Sequence, residues 1–329
     1  MSAVERPPPS LNLNVRGMRP SATVAINEHS NALIAAGRTV YKLGLGQSPF
    51  PVPPSVVESL RQHAHRKEYM PVRGLPELRA AVAEFHRRRA GRQSSCTAEN
   101  VLVAPGSKEL MFIVQLAFYG DLLLPSPSWV SYSPQAQIIG RQVNFLPTRA
   151  QDRWMLQPDI LDAHCRRDRG RPRILILNYP SNPTGQSFTL DELAALAEVA
   201  REHQLIVISD EIYGELHHAG EHRSIAEFYP EGTILSSGLS KWCGAGGWRL
   251  GTFLFPPQLR WLRDAMTAVA SETYTTTSAP IQCAAVTAFA CGPEIDEYLV
   301  HARQILRALG TWSSERLAAA GARRHRPEG

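Results

Sequence analysis

Lys241 lies in SSGLSKWCGAGGWRLG, residues 236–251, among small and polar neighbours, and Arg249 follows eight residues later. Burial lowers a lysine's pKa, and the neutral amine is a nucleophile that forms a Schiff base with an aldehyde. Arginine presents a planar fork of donors matched to phosphate. A reactive amine beside a phosphate clamp is what an aldehyde-bearing phosphate ester such as pyridoxal 5′-phosphate requires. That cofactor also needs a carboxylate against its ring nitrogen, donors for its phenolate oxygen, an aromatic face and further phosphate ligands. Asp210 suits the first need, Asn182 and Tyr213 the second, and Trp129 the third. The turn Gly106-Ser107-Lys108, with Ser240 and Arg249, suits the last. Each residue alone has an ordinary reading: an aspartate capping a turn, a tryptophan in a core, an arginine paired to a surface carboxylate. Their joint placement gives them weight.

That placement needs elements to create it. Short apolar runs at 101–104, 121–124, 174–177, 205–208 and 233–235 predict buried strands. Further strands are expected at 142–147 and 251–255. Helices are expected within 21–38, from an N-cap at Ser55 to about 66, and over 75–89, 109–119, 131–140 and 189–203. The last third reads as helical at 257–270, 279–290 and 293–319, and the stretch after 147 reads as polar. Strands alternating with amphipathic helices predict an α/β domain with a mainly parallel, doubly covered sheet. Ligands of such sheets lie beyond the carboxyl ends of the strands. Gly106–Lys108, Trp129, Asn182, Asp210 and Lys241 all follow strand ends. The strand, glycine turn and helix around 101–109 make a generic anion site without P-loop spacing.

With 329 residues, 43% hydrophobic and 20% charged, the chain has the composition of a globular protein large enough for more than one domain. The net charge of +5 is mild. The basic runs at 86–89 and 166–169 read as solvated faces. There is no zinc-finger spacing and no aromatic-interleaved basic stripe, so neither a metal nor nucleic acid is expected. Five scattered cysteines (96, 165, 243, 283, 291) read as free thiols in a reducing, cytoplasmic setting. Residues 1 to about 20 read as a loose arm without a signal peptide, and no apolar run is long enough to span a membrane.

Seven ordered motifs carry a resemblance: LGLG (43–46), YMPVRG (69–74), PGSK (105–108), PSWVSY (127–132), NPTG (182–185), SDEIY (209–213), and SK (240–241) with GWRLG (247–251). The sequence resembles the class I/II aminotransferases of the fold-type I pyridoxal-phosphate enzymes, in the aspartate/aromatic branch. The resemblance implies a three-layer large domain with a smaller α/β domain. It divides the chain into residues 1–50 (arm and part of the small domain), 51–290 (large domain) and 291–329 (start of the small domain). It implies that Lys241 bears the cofactor and shuttles the proton, and that Asp210 pairs with the pyridinium. Asn182 and Tyr213 would bond the phenolate oxygen, and Trp129 would stack on the ring. Gly106, Ser107, Lys108, Ser240 and Arg249 would surround the phosphate. Tyr69 would reach the phosphate of a partner subunit in a homodimer with shared sites. Gly46, Trp129 and Asn182 would contact substrate.

The implied activity is ping-pong transfer of an amino group from an L-amino acid to a 2-oxo acid. Two departures from the family pattern stand out. Gly238 occupies the place of a frequent phosphate-binding serine. No residue matches the family's C-terminal arginine for the substrate carboxylate, so the chain is expected to be short there, to bind the cofactor and to turn over weakly or not at all. Other enzymes of the scaffold, a β-lyase or a synthase, and a non-catalytic cofactor-binding protein stay open at this point.

Overall fold

A computed structural model describes residues 10–44, 46–89, 97–322 and 325–329. Cys96, Leu45 and the first nine residues of the expected arm lie outside them. The chain runs through α1 (Ala22–Ala35), α2 (Pro54–His63), α3 (Pro76–Arg89), β1 (Val101–Ala104), α4 (Ser107–Ala117), β2 (Asp121–Ser126) and α5 (Tyr132–Ile138). It continues with β3 (Val143–Pro147), α6 (Pro158–Cys165), β4 (Arg173–Asn178), α7 (Leu190–Glu202), β5 (Ile206–Asp210), β6 (Thr233–Gly238) and β7 (Gly251–Leu254). Helices α8 (Arg260–Glu272), α9 (Ala279–Ala290) and α10 (Pro293–Ala319) follow.

The seven strands form one sheet in the order β1-β7-β6-β5-β4-β2-β3. Only β7 opposes its neighbours, β1 and β6. The remaining pairs are parallel, so β1 to β6 all point the same way. Alternate side chains of a strand face opposite sides of the sheet. Ile174 and Ile176 of β4, with Ile206 and Ile208 of β5, pack with α4, α5 and α8. Leu175, Leu177 and Val207 pack with α6 and α7. At the β1 end, Val101, Val103, Leu235 and Leu254 pack with α2, α3, α9 and α10. The sheet is thus covered on both faces, which is why its strands read as continuous apolar runs.

Four expectations need correcting. Helix α2 starts at Pro54 rather than being capped by Ser55, because proline's fixed φ suits the first helical position. Helix α4 starts at Ser107, so the anion turn is its own first turn. The polar stretch contains α6, which buries only Leu161 and Cys165, four residues apart. His86 is buried, not solvated, and lies edge-on to Phe85, which packs on Trp242 and Phe289. Arg87 and Arg88 of the same run, and residues 166–169, are exposed as expected. Cys165, Cys243, Cys283 and Cys291 are free thiols. Among the described residues no helix is long and apolar enough to cross a membrane.

Candidate active site

The carboxyl ends of β1, β2, β4, β5 and β6 share one edge of the sheet, and the singled-out residues gather there. Asp210 is the last residue of β5, flanked in register by Asn178 of β4 and Ser236 of β6. It is 4% exposed. The Tyr132 hydroxyl donates to its Oδ2 at 2.5 Å, and the Ser236 hydroxyl donates to its Oδ1 at 3.2 Å. Burial pushes the Asp210 carboxyl up to about 6, against the downward pull of those hydroxyls and the Ile212 N–H. A cation placed against it would regain that loss.

Lys241 follows β6. Its Nζ donates to the Gly46 carbonyl at 2.6 Å and stands 5.4 Å from the centre of the Tyr213 ring. Burial lowers its pKa below that of a free lysine, and Arg249 adds to the shift while Asp210 opposes it. The Asn182 amide donates to the Tyr213 hydroxyl at 3.4 Å. Burial raises the Tyr213 phenol, so it stays protonated and can donate. The Asn178 carboxamide fixes this corner: its Nδ2 donates to the Asp210 carbonyl at 2.9 Å, and its Oδ1 accepts from the Asn182 N–H at 2.7 Å.

A second group forms around Arg249, whose guanidinium donates to the carbonyls of Gly246 (2.8 Å) and Pro105 (3.3 Å) and to Ser240 Oγ (3.5 Å). Gly106 caps α4 with φ of 96°, and a Cβ there would overlap the guanidinium. A Cβ on Gly251 would overlap the Ser107 amide. The two glycines therefore let the first turn of α4 lie directly on Arg249. No ion pair among the described residues takes up Lys241 or Arg249, so both remain available to a ligand. Lys108 Nζ stands 5.5 Å over the Trp129 ring, which meets Tyr132 edge-on at 5.1 Å. Tyr69 points outward, 87% exposed, away from the group.

A profile of the family described as aminotransferase class I and II matches residues 38–327. The chain belongs to this family. It is 33% identical to the aspartate/prephenate aminotransferase of Thermus thermophilus, over 97% of this chain and 82% of that protein. It is also 33% identical to the aspartate aminotransferase of Geobacillus stearothermophilus, over 85% of this chain and 71% of that one. The solved structure of the Thermus thermophilus aspartate aminotransferase with maleate matches with a TM-score of 0.91 at 33% identity, over 97% of this chain and 83% of that one. This aminotransferase therefore has the activity and the α/β architecture that its motifs imply.

Tyr132, Ser236 and Asn178, the three side chains that hold Asp210 and Asn182, carry no role expected from the sequence. Tyr132 was visible at the end of PSWVSY, three residues after Trp129. Ser236 and Asn178 become meaningful only once strand register sets them beside Asp210.

Proposed function

We propose that this aminotransferase uses pyridoxal 5′-phosphate and takes a dicarboxylic, aspartate-like amino acid as donor, with a 2-oxo acid as acceptor, by ping-pong exchange. The observation that carries the reading is Lys241, partly desolvated and in no ion pair among the described residues, beside Tyr213 and near the buried carboxylate of Asp210. The donor set fits the cofactor on its own chemistry. Asp210 is a buried carboxylate in want of a cation, and the Gly106 cradle against Arg249 suits a phosphate. When bound, pyridoxal phosphate supplies an aldehyde for amino groups and a protonated ring that withdraws the electron pair left at the substrate Cα.

The chain's own groups do the rest. With the cofactor bound, Lys241 Nζ, its pKa lowered by burial, would accept and hold the proton taken from the substrate Cα. Asp210, aided by Tyr132 and Ser236, would keep the ring nitrogen protonated. Asn182 and Tyr213 would donate to the phenolate oxygen, and Trp129 would offer its face to the ring. Gly106, Ser107, Lys108, Ser240 and Arg249 hold the phosphate, through the helix N-terminus and the guanidinium fork. Gly46, Trp129 and Asn182 meet the substrate. The dicarboxylate preference is supported by the names of the Thermus and Geobacillus relatives.

The same reading makes a homodimer, with the exposed Tyr69 completing the partner's phosphate site. It takes 51–290 as the large domain, in which all seven strands fall, with 1–50 and 291–329 as parts of the smaller one. Four free cysteines support a cytoplasmic setting. The test is an absorbance spectrum of the chain loaded with pyridoxal phosphate, before and after each member of an amino-acid panel. Aspartate should bleach the visible band as a 2-oxo acid appears. A band that no amino acid bleaches would overturn the reading.

A further inference from the structure

Residues 325–329 lie between the loop that carries Asn182 and the turn that follows Tyr213. The Glu328 N–H donates to the Gly185 carbonyl at 2.7 Å, and the Glu328 carbonyl accepts from the His218 N–H at 2.7 Å. The backbone of one residue thus bridges both segments. Its side chain adds a second hold: Oε2 accepts from the Ser187 N–H at 2.8 Å, and Oε1 lies 3.4 Å from Arg153 Nη1. Arg153 also donates to the Ser187 carbonyl at 3.1 Å. Its other nitrogen binds both oxygens of Glu192, at 2.8 and 2.7 Å. Glu192 in turn closes the capping box of α7 with Thr189. Upstream, the Gln186 amide donates to the Arg326 carbonyl at 2.7 Å. Pro327 packs on Gly185, whose φ of 67° makes it the turning point of the loop. The Glu328 and Arg153 side chains are 27% and 28% exposed, so the contacts between them are largely shielded.

The loop from Tyr179 to Thr189 must hold the Asn182 amide on the Tyr213 hydroxyl, and an irregular loop of that length loses conformational freedom to do so. Charge-assisted bonds to Ser187 and Glu192 anchor the far side of that loop to α7, while the strap ties it to His218. We infer that Glu328 and Arg153 are a positioning pair that sets the register of Asn182 against Tyr213 without touching substrate or cofactor. The inference rests on the proposed reading only for what the two donors serve, the cofactor's phenolate oxygen. Donors to that oxygen stabilise its ionised form and hold down the pH midpoint of the bound cofactor's visible band.

The experiment uses the full chain with Glu328→Ala, Glu328→Gln and, as a control on a distant exposed ion pair, Glu231→Ala. Hydrogen exchange of residues 181–189 is measured without cofactor, and the midpoint of the visible band is measured with pyridoxal phosphate. Glu328→Ala should speed exchange in that loop about ten-fold, as expected for loss of a charge-assisted bond, and raise the band midpoint by roughly half a unit or more. Glu328→Gln keeps an acceptor for the Ser187 N–H but loses the charge opposite Arg153, so it should fall between. Glu231→Ala should move neither. Unchanged exchange and an unchanged midpoint in Glu328→Ala, or a lowered melting temperature with no midpoint shift, would overturn the inference. Should Glu328→Ala not fold, Glu328→Gln decides by the same two readouts. If the unsubstituted chain takes up no pyridoxal phosphate, the cofactor reading fails, while loop exchange still decides the strap.

Discussion

Replacing Tyr132 by phenylalanine removes one hydroxyl and leaves the packing of a wholly buried ring intact. That hydroxyl donates at 2.5 Å to a carboxyl that burial has already raised to about 6. From an ordinary value of 3.8, the rise corresponds to about 3 kcal/mol against the ionised form. A hydrogen bond to a charged group contributes about 1.5–3 kcal/mol, or roughly one to two pK units. Removing it should carry Asp210 to about 7–8, so that at pH 7 its ionised share falls from about nine-tenths to between a half and a tenth. The assay is the association constant of pyridoxal phosphate with the cofactor-free chain, measured from pH 5 to 9. The cofactor's own titrations are common to both proteins and cancel in the comparison. In the parent, the acid limb should lie near pH 6. In Tyr132→Phe it should move up by about one to two units, with binding at pH 7 weakened roughly two- to ten-fold and the curves converging near pH 9. Coincident limbs would refute the claim that Tyr132 keeps Asp210 ionised.

Other consequences follow from the same geometry. Burial lowers the His86 imidazole to about 4 from 6.5, so the folded state binds fewer protons than the unfolded state. Its contribution is complete above about pH 6.5 and is lost as pH falls towards 4, about 3 kcal/mol in all. His86→Leu should therefore flatten the acid limb of urea stability, and an unaltered limb would count against this. Gly106→Ala places a methyl group against Arg249 at positive φ and should weaken pyridoxal phosphate binding at least about ten-fold by equilibrium dialysis. Arg249→Ala removes the guanidinium fork and should cost about 2–4 kcal/mol of cofactor binding, with the melting temperature of the cofactor-free chain little changed.

Much of this fold was legible because a sheet covered on both faces writes its strands as unbroken apolar runs, as in Ile174–Leu177. Glycines and prolines marked where those strands end, and there the polar residues stood out. What escaped depends on contacts distant in sequence. The sequence run Thr233–Leu235 stopped short of β6, which continues through buried Ser236 and Ser237 because Asp210 and the sheet satisfy them. Helix α6 hid because two buried positions are too few for a periodic signal. His86 hid in a basic run because the inner face of α3 turns it away from water. The Glu328 strap joins residues more than a hundred positions apart, and no local pattern announces it.

The central claim is that Lys241 is the amine with which the cofactor reacts, and the chain has only three other lysines, Lys42, Lys67 and Lys108. The direct measurement is borohydride reduction of the chain loaded with pyridoxal phosphate, followed by digestion and mass spectrometry. One reduced cofactor is expected on the peptide bearing Lys241 and none on the others, with loss of the label in Lys241→Ala. A label on Lys108 or another lysine in the unaltered chain, or one that persists in Lys241→Ala, would contradict it.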